Sequence, residues 1–174
     1  MDEKKICITG INNKYNMKKL TEKKEPKKRV VTEKWIFNEI YLQSDKQLEL
    51  LNCLDGKTNE MKTLVKEIER KIYGYKQQDL EKKVYDSEKF ITFDEVTNKM
   101  IETQLKCYYC NDEMFILYEM TRENRQWTID RDNNDKGHNI DNYILACLEC
   151  NLKRKRRQKD AFLFTKQLNI VKQS

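Results

Sequence analysis

Hydrophobic residues recur at helical spacing through the first half of the chain and in strand-like runs in the second. Trp35, Ile36 and Ile40 fall on one helical face, and Leu48, Leu51 and Leu54 continue in a second segment ending near Gly56. Met61, Leu64, Val65, Ile68 and Ile72 then repeat every three or four residues, the pattern of a helix that lays one face on a core. Thr92 followed by Glu95 makes a capping-box pattern and predicts a helix through about Gln104. Beyond it, Met114–Met120 and Gln126–Asp130 predict two strands, and Tyr143–Ala146 a third short extended piece. Asn151 to about Lys159 predicts a helix, and Asp160 is placed to cap a last one carrying Phe162, Leu163, Leu168 and Ile170. Residues 1–29 hold only a short Ile6-Cys7-Ile8 stretch and a basic run around Pro26, the one proline. The pattern therefore predicts an α+β chain: a basic flexible arm over 1–29, a helical region over 30–86, and a mixed domain over 87–174.

Composition removes several classes of function. In 174 residues no apolar run approaches the roughly 20 residues that span a bilayer. The first residues, Met1-Asp2-Glu3-Lys4-Lys5, open no apolar leader, so a soluble intracellular protein without a membrane partner is expected. Glycines at 10, 56, 74 and 137 cannot build a phosphate-binding glycine loop or a dinucleotide fingerprint. One histidine, His138, and serines only at 44, 87 and 174 offer no nucleophile-elbow triad. Any catalysis must lean on carboxylates, amides, tyrosine or a metal. The net charge is +6, and its distribution is uneven: residues 1–29 hold 10 basic and 4 acidic groups, 30–105 hold 12 and 15, and 106–174 hold 13 and 10. Positive charge at both ends of an acidic middle favours a polyanionic partner.

The six cysteines sort by spacing. Cys7 and Cys53 stand alone, and as isolated thiols they are expected to be inert. The others form Cys107-x-x-Cys110 and Cys147-x-x-Cys150, with 36 residues between the pairs. Two such pairs can fold as knuckles whose four thiolates close tetrahedrally on a structural zinc ion, and two pairs in one short segment argue against a redox motif. Between the knuckles lie Asp130 at the end of a predicted strand, a polar turn-rich loop with Gly137 and His138, and then Asn142; Asn151 directly follows the last cysteine. A carboxylate at a strand end and an amide opening a helix supply hard oxygen ligands suited to magnesium or manganese. Zinc would hold together a segment too short to bury much core.

This string resembles the zinc-bound subgroup of HNH endonucleases, which share a ββα-metal fold. The family pattern runs Cys-x-x-Cys, strand, Asp-His, loop, Asn, Cys-x-x-Cys, then Asn or His opening the helix. It covers about residues 106–157, and the variant Asp130-Arg131-Asp132-Asn133 with Gly137-His138 and Asn142 is most similar to HNH proteins of phages and giant DNA viruses. The resemblance implies an endonuclease hydrolysing DNA phosphodiester bonds within domain 87–174. Cys107, Cys110, Cys147 and Cys150 would bind structural Zn2+, while Asp130 and Asn151 would hold a catalytic Mg2+ or Mn2+. Asn142 would brace the loop.

One position departs from the pattern. The family's general base follows the Asp directly, and here that place belongs to Arg131, whose guanidinium stays protonated and accepts no proton near neutral pH. Arg131 could instead clamp a phosphate. His138 is then the candidate base, with Tyr108 and Tyr109 behind it. Lys153, Arg154, Lys155, Arg156, Arg157 and Lys159 put six cations into seven positions after the knuckle, candidates for phosphate contact. Two alternatives stand beside the endonuclease. One is a zinc-stabilised nucleic-acid-binding module without hydrolysis; the other makes the helices of 30–105 a docking platform for a protein partner in a larger viral or nuclear assembly.

Overall fold

The computed structural model describes residues 9–21, 27–54 and 56–168. Ile6-Cys7-Ile8, Pro26 and Ile170 lie outside the described residues. Within the stretch expected as a flexible arm, Ile11–Thr21 forms a helix, α1. Its Ile11 and Met17 are exposed. The end of the arm is fastened. Lys28 bridges Met120, and the Arg29 guanidinium, 9% exposed, donates to Tyr118 O at 2.9 Å and to Glu67 Oε2 at 2.5 Å. A buried guanidinium matched to a carboxylate and a carbonyl is a fixed strut, so the basic character of 27–29 does not translate into freedom.

Residues 30–42 make two short 3-10 turns, Val30–Lys34 and Glu39–Leu42, in place of the expected helical face. The Asn38 side chain accepts from Ile40 N at 2.9 Å, a local bond that competes with helix continuation. Trp35 and Phe37 stack at 5.3 Å and pack on the core, whereas Ile36 and Ile40 are exposed. Regular helix begins with α2 (Ser44–Asn52) and α3 (Asn59–Glu81). Thr58 caps α3, and the expected stripe turns Met61, Leu64 and Ile68 into the core. α4 (Phe93–Glu102) opens on the Thr92–Glu95 capping box, with both reciprocal bonds present, and buries Val96 and Met100.

The sheet has two antiparallel strands, β1 (Trp127–Arg131) and β2 (Tyr143–Cys147), followed by α5 (Leu148–Arg154) and α6 (Lys159–Gln167). Met114–Met120, expected as a strand, is not one. Met114, Ile116 and Leu117 are all buried, so the segment lacks the in–out alternation of a sheet face. At its centre the backbone is satisfied by a side chain instead: Ile116 N and Leu117 N donate to Gln47 Oε1, and Gln47 Nε2 donates to Leu117 O. Ser44 Oγ adds a bond to Met114 O. Among the described residues the fold is thus α+β, mostly helical, with one small hairpin.

A single hydrophobic cluster runs from Leu50 and Leu51 through α3 and α4 to Trp127, Leu145, the knuckle cysteines and Phe162. The boundary expected at 86/87 does not divide it. Among the described residues no helix is long and apolar enough to cross a membrane.

Candidate metal centre and nucleic-acid interface

The hairpin register sets the site. Trp127 pairs with Cys147 and Arg131 with Tyr143, so the last residue of β2, at the open end of the hairpin, brings Cys147 beside the first knuckle. That knuckle is a tight turn: Asn111 N donates to Cys107 O, Cys107 N donates to Asp112 O, and Asn111 adopts a φ of 58°. Tyr108 N donates to Leu145 O, which laces the turn to β2. The second knuckle doubles as the start of α5, where Cys147 Sγ accepts from Cys150 N.

The four sulfurs of Cys107, Cys110, Cys147 and Cys150 all lie within 4.8 Å of one another, and Cys110 and Cys147 are 3.9 Å apart. Tetrahedral zinc with bonds of about 2.3 Å needs sulfur separations of roughly 3.8 Å, so this donor set fits a zinc ion. The crowding also splits the thiols. Cys107 is pulled down to about 5 by the Cys147 thiol hydrogen-bonded to it, and the same contact pushes Cys147 up. Burial raises Cys110 to about 12 and raises Cys150 as well. A metal ion that replaces the shared protons would relieve that competition.

Asp130 lies on β1, 3% exposed. Its Oδ2 accepts from Tyr109 Oη at 2.8 Å and its Oδ1 from Arg154 Nη1 at 2.5 Å. Burial pushes the carboxyl upward, while Tyr109 and the Arg154 charge pull it back. Asn151, on the first turns of α5, leans on the same strand: its Nδ2 donates to Thr128 Oγ1 at 3.0 Å and to Ile129 O at 3.2 Å. The structure therefore brings Asp130, Asn151 and Arg154 together. A divalent ion does not fit Asp130 in this arrangement, because the Arg154 guanidinium already sits on Oδ1, neutralises the carboxylate and would repel a second cation there.

His138 has different neighbours. It is 3% exposed, its Nδ1 lies 2.7 Å from Asp79 Oδ1, and its backbone N donates to Asp79 Oδ2 at 2.6 Å. The Tyr75 ring covers the imidazole at 4.6 Å. Asp79 and Tyr75 both belong to α3, whereas the partners of Asp130 come from the first knuckle and α5, so His138 and Asp130 sit in separate bonding networks. Burial lowers the His138 pKa, against the opposing pull of Asp79. Gly137 is compulsory here: a Cβ would fall 2.5 Å from Val84 O and 2.9 Å from Asp79 Oδ2. Arg131 Nη1 donates to Lys136 O within the same loop. Asn142, 4% exposed, closes the loop by donating to Asn133 O and Gly137 O and accepting from Asn133 N.

The six cations after the knuckle part company. Arg154 is 1% exposed and points inward. Lys153, Lys155, Arg156 and Arg157 are exposed, and Lys159 reaches Asp132 at 3.2 Å. Lys153 pairs with Glu149, and Arg157 lies over the Phe162 ring at 4.8 Å. Arg156, Arg157 and Gln158 line a cleft of about 250 Å³ together with Asp132 and Asn133.

Sequence reasoning did not find Asp79, Tyr75 or the Arg29–Glu67 pair, because each partner lies tens of residues away. The inward turn of Arg154 did have a signal: it stands three residues after Asn151, hence on the same helical face. No protein-family model, curated protein or solved structure matches this chain.

Proposed function

We propose that residues 106–157 are an HNH-type ββα-metal unit, stapled by zinc, that binds DNA through its phosphates. The observation that carries this reading is the exposed cluster of Lys153, Lys155, Arg156 and Arg157 at the far end of the helix that the cysteine cluster holds. Cations so placed release counter-ions when they meet phosphates, and four contacts give a salt slope of about −3.6 in log–log form. Such contacts position the protein and read no sequence. Titration of a labelled duplex at several salt concentrations tests this. The chain is expected to bind with a steep negative slope, and Lys155→Ala with Arg156→Ala to bind less tightly with a slope shallower by about 2. Binding that ignores salt would discard the proposal.

Hydrolysis of DNA, as in an HNH endonuclease, is the second reading, favoured by Asn151 lying against the strand that carries Asp130. Against it stand the bonded carboxylate of Asp130, Arg131 in the place of the base, and His138 held by α3. Incubation of supercoiled DNA with Mg2+ or Mn2+ separates the two. No metal-stimulated nicking is expected; nicking by the parent that is lost in both Asp130→Ala and Asn151→Ala would put the endonuclease first.

A further inference from the structure

Arg154 carries a full positive charge at 1% exposure, and three oxygens converge on it. Nη1 donates to Asp130 Oδ1 at 2.5 Å and to Arg131 O at 2.8 Å, and Nη2 donates to Asp132 O at 2.9 Å. The Nε–H meets no acceptor, so the side chain is held by its two terminal nitrogens and its charge. One carboxylate and two main-chain carbonyls are the donor chemistry with which proteins hold hard divalent cations. Tyr109 fixes the other carboxylate oxygen, which keeps the group aimed at the guanidinium. Asn151 commits its amide nitrogen to β1, leaving its side-chain oxygen as a further hard donor on the same helix.

We propose that the Arg154 guanidinium is a built-in cation seated in an oxygen cage of Asp130 Oδ1, Arg131 O and Asp132 O, and that its removal uncovers a divalent-cation site there. The charge and the cross-links that an ion would supply are provided by the chain itself. Strand β1, the loop after it and α5 are joined at one point by a group that cannot dissociate or lose its proton. The inference does not depend on whether DNA is bound.

Mn2+ titrated into the zinc-loaded full chain, with free ion followed by electron paramagnetic resonance, tests it. The parent is expected to take up no ion that Asp130→Asn removes. Arg154→Gln is expected to melt lower by roughly 10 °C, since it strands a buried carboxylate. It should also bind one Mn2+, recover part of its melting temperature in Mn2+, and lose both gains when Asp130→Asn is added. Arg154→Lys keeps a charge in the cage and is expected to bind no Mn2+, which decides the matter should Arg154→Gln not fold. Asp130-dependent uptake by the parent, uptake by Arg154→Lys, or a folded Arg154→Gln indifferent to Mn2+ would each overturn the proposal.

Discussion

A lone histidine in a polar loop reads, from sequence, as a titrating group within reach of solvent. His138 is instead a buried strut between the loop and α3, and nothing near it in the chain announces Asp79, 59 residues earlier. The consequence is a sign that can be measured. Burial holds the folded pKa of His138 below its ordinary 6.5, so at intermediate pH the unfolded chain binds a proton that the folded chain does not. Stability from this group is therefore complete above about 6.5 and falls as pH drops toward the folded value. Thermal melts between about pH 7 and 5 are expected to fall more steeply for the parent than for His138→Gln, and parallel profiles would refute the assignment. Asp130 and Asn151 were legible as residue types at a strand end and a helix start. That Arg154 closes on Asp130 needed three dimensions, though the spacing of 151 and 154 hinted at it.

The hairpin and α5 are each too short to stand alone: five-residue strands and a seven-residue helix lie below the lengths that persist in water. The cysteine cluster joins all three to the turn at 107–110. Stringent chelation is accordingly expected to release one zinc per chain and to abolish the near-ultraviolet signal of Trp127, as is Cys150→Ser; a chelated chain that keeps that signal would contradict the role given to the cluster. This centre was readable because its ligands come in local pairs of fixed spacing. The helices α3 and α4 were readable for a similar reason, an apolar stripe and a capping box. The segment 114–120 was misread because the hydrogen bonds of its centre, at 116 and 117, run to Gln47, and a side chain acting as a neighbouring strand leaves no periodic trace.

At the scale of the whole molecule, α3 is the member that binds the helical region to the hairpin. Lys71 Nζ donates to Trp127 O and lies 4.8 Å from the Trp127 ring, Tyr75 Oη accepts from Ile129 N, and Asp79 grips the loop. The hydrophobic cluster crosses the division suggested by sequence at 86/87. The two tryptophans report on the two regions. Urea unfolding of each zinc-loaded variant, Trp35→Phe and Trp127→Phe, is expected to show one midpoint shared by the remaining tryptophan's fluorescence and the far-ultraviolet helix signal, as one cooperative unit requires. Separate midpoints would restore two domains.

Gln47 gives the same cohesion a practical edge. Anyone excising the cysteine-rich half at residue 87 would strip Ile116 N, Leu117 N and Leu117 O of their amide partner, each loss worth about 1–3 kcal/mol inside a folded protein. The shortened piece would face water with a greasy, unsatisfied ribbon and should clump, whatever zinc it carries. Its nearest route to solubility is to keep α2.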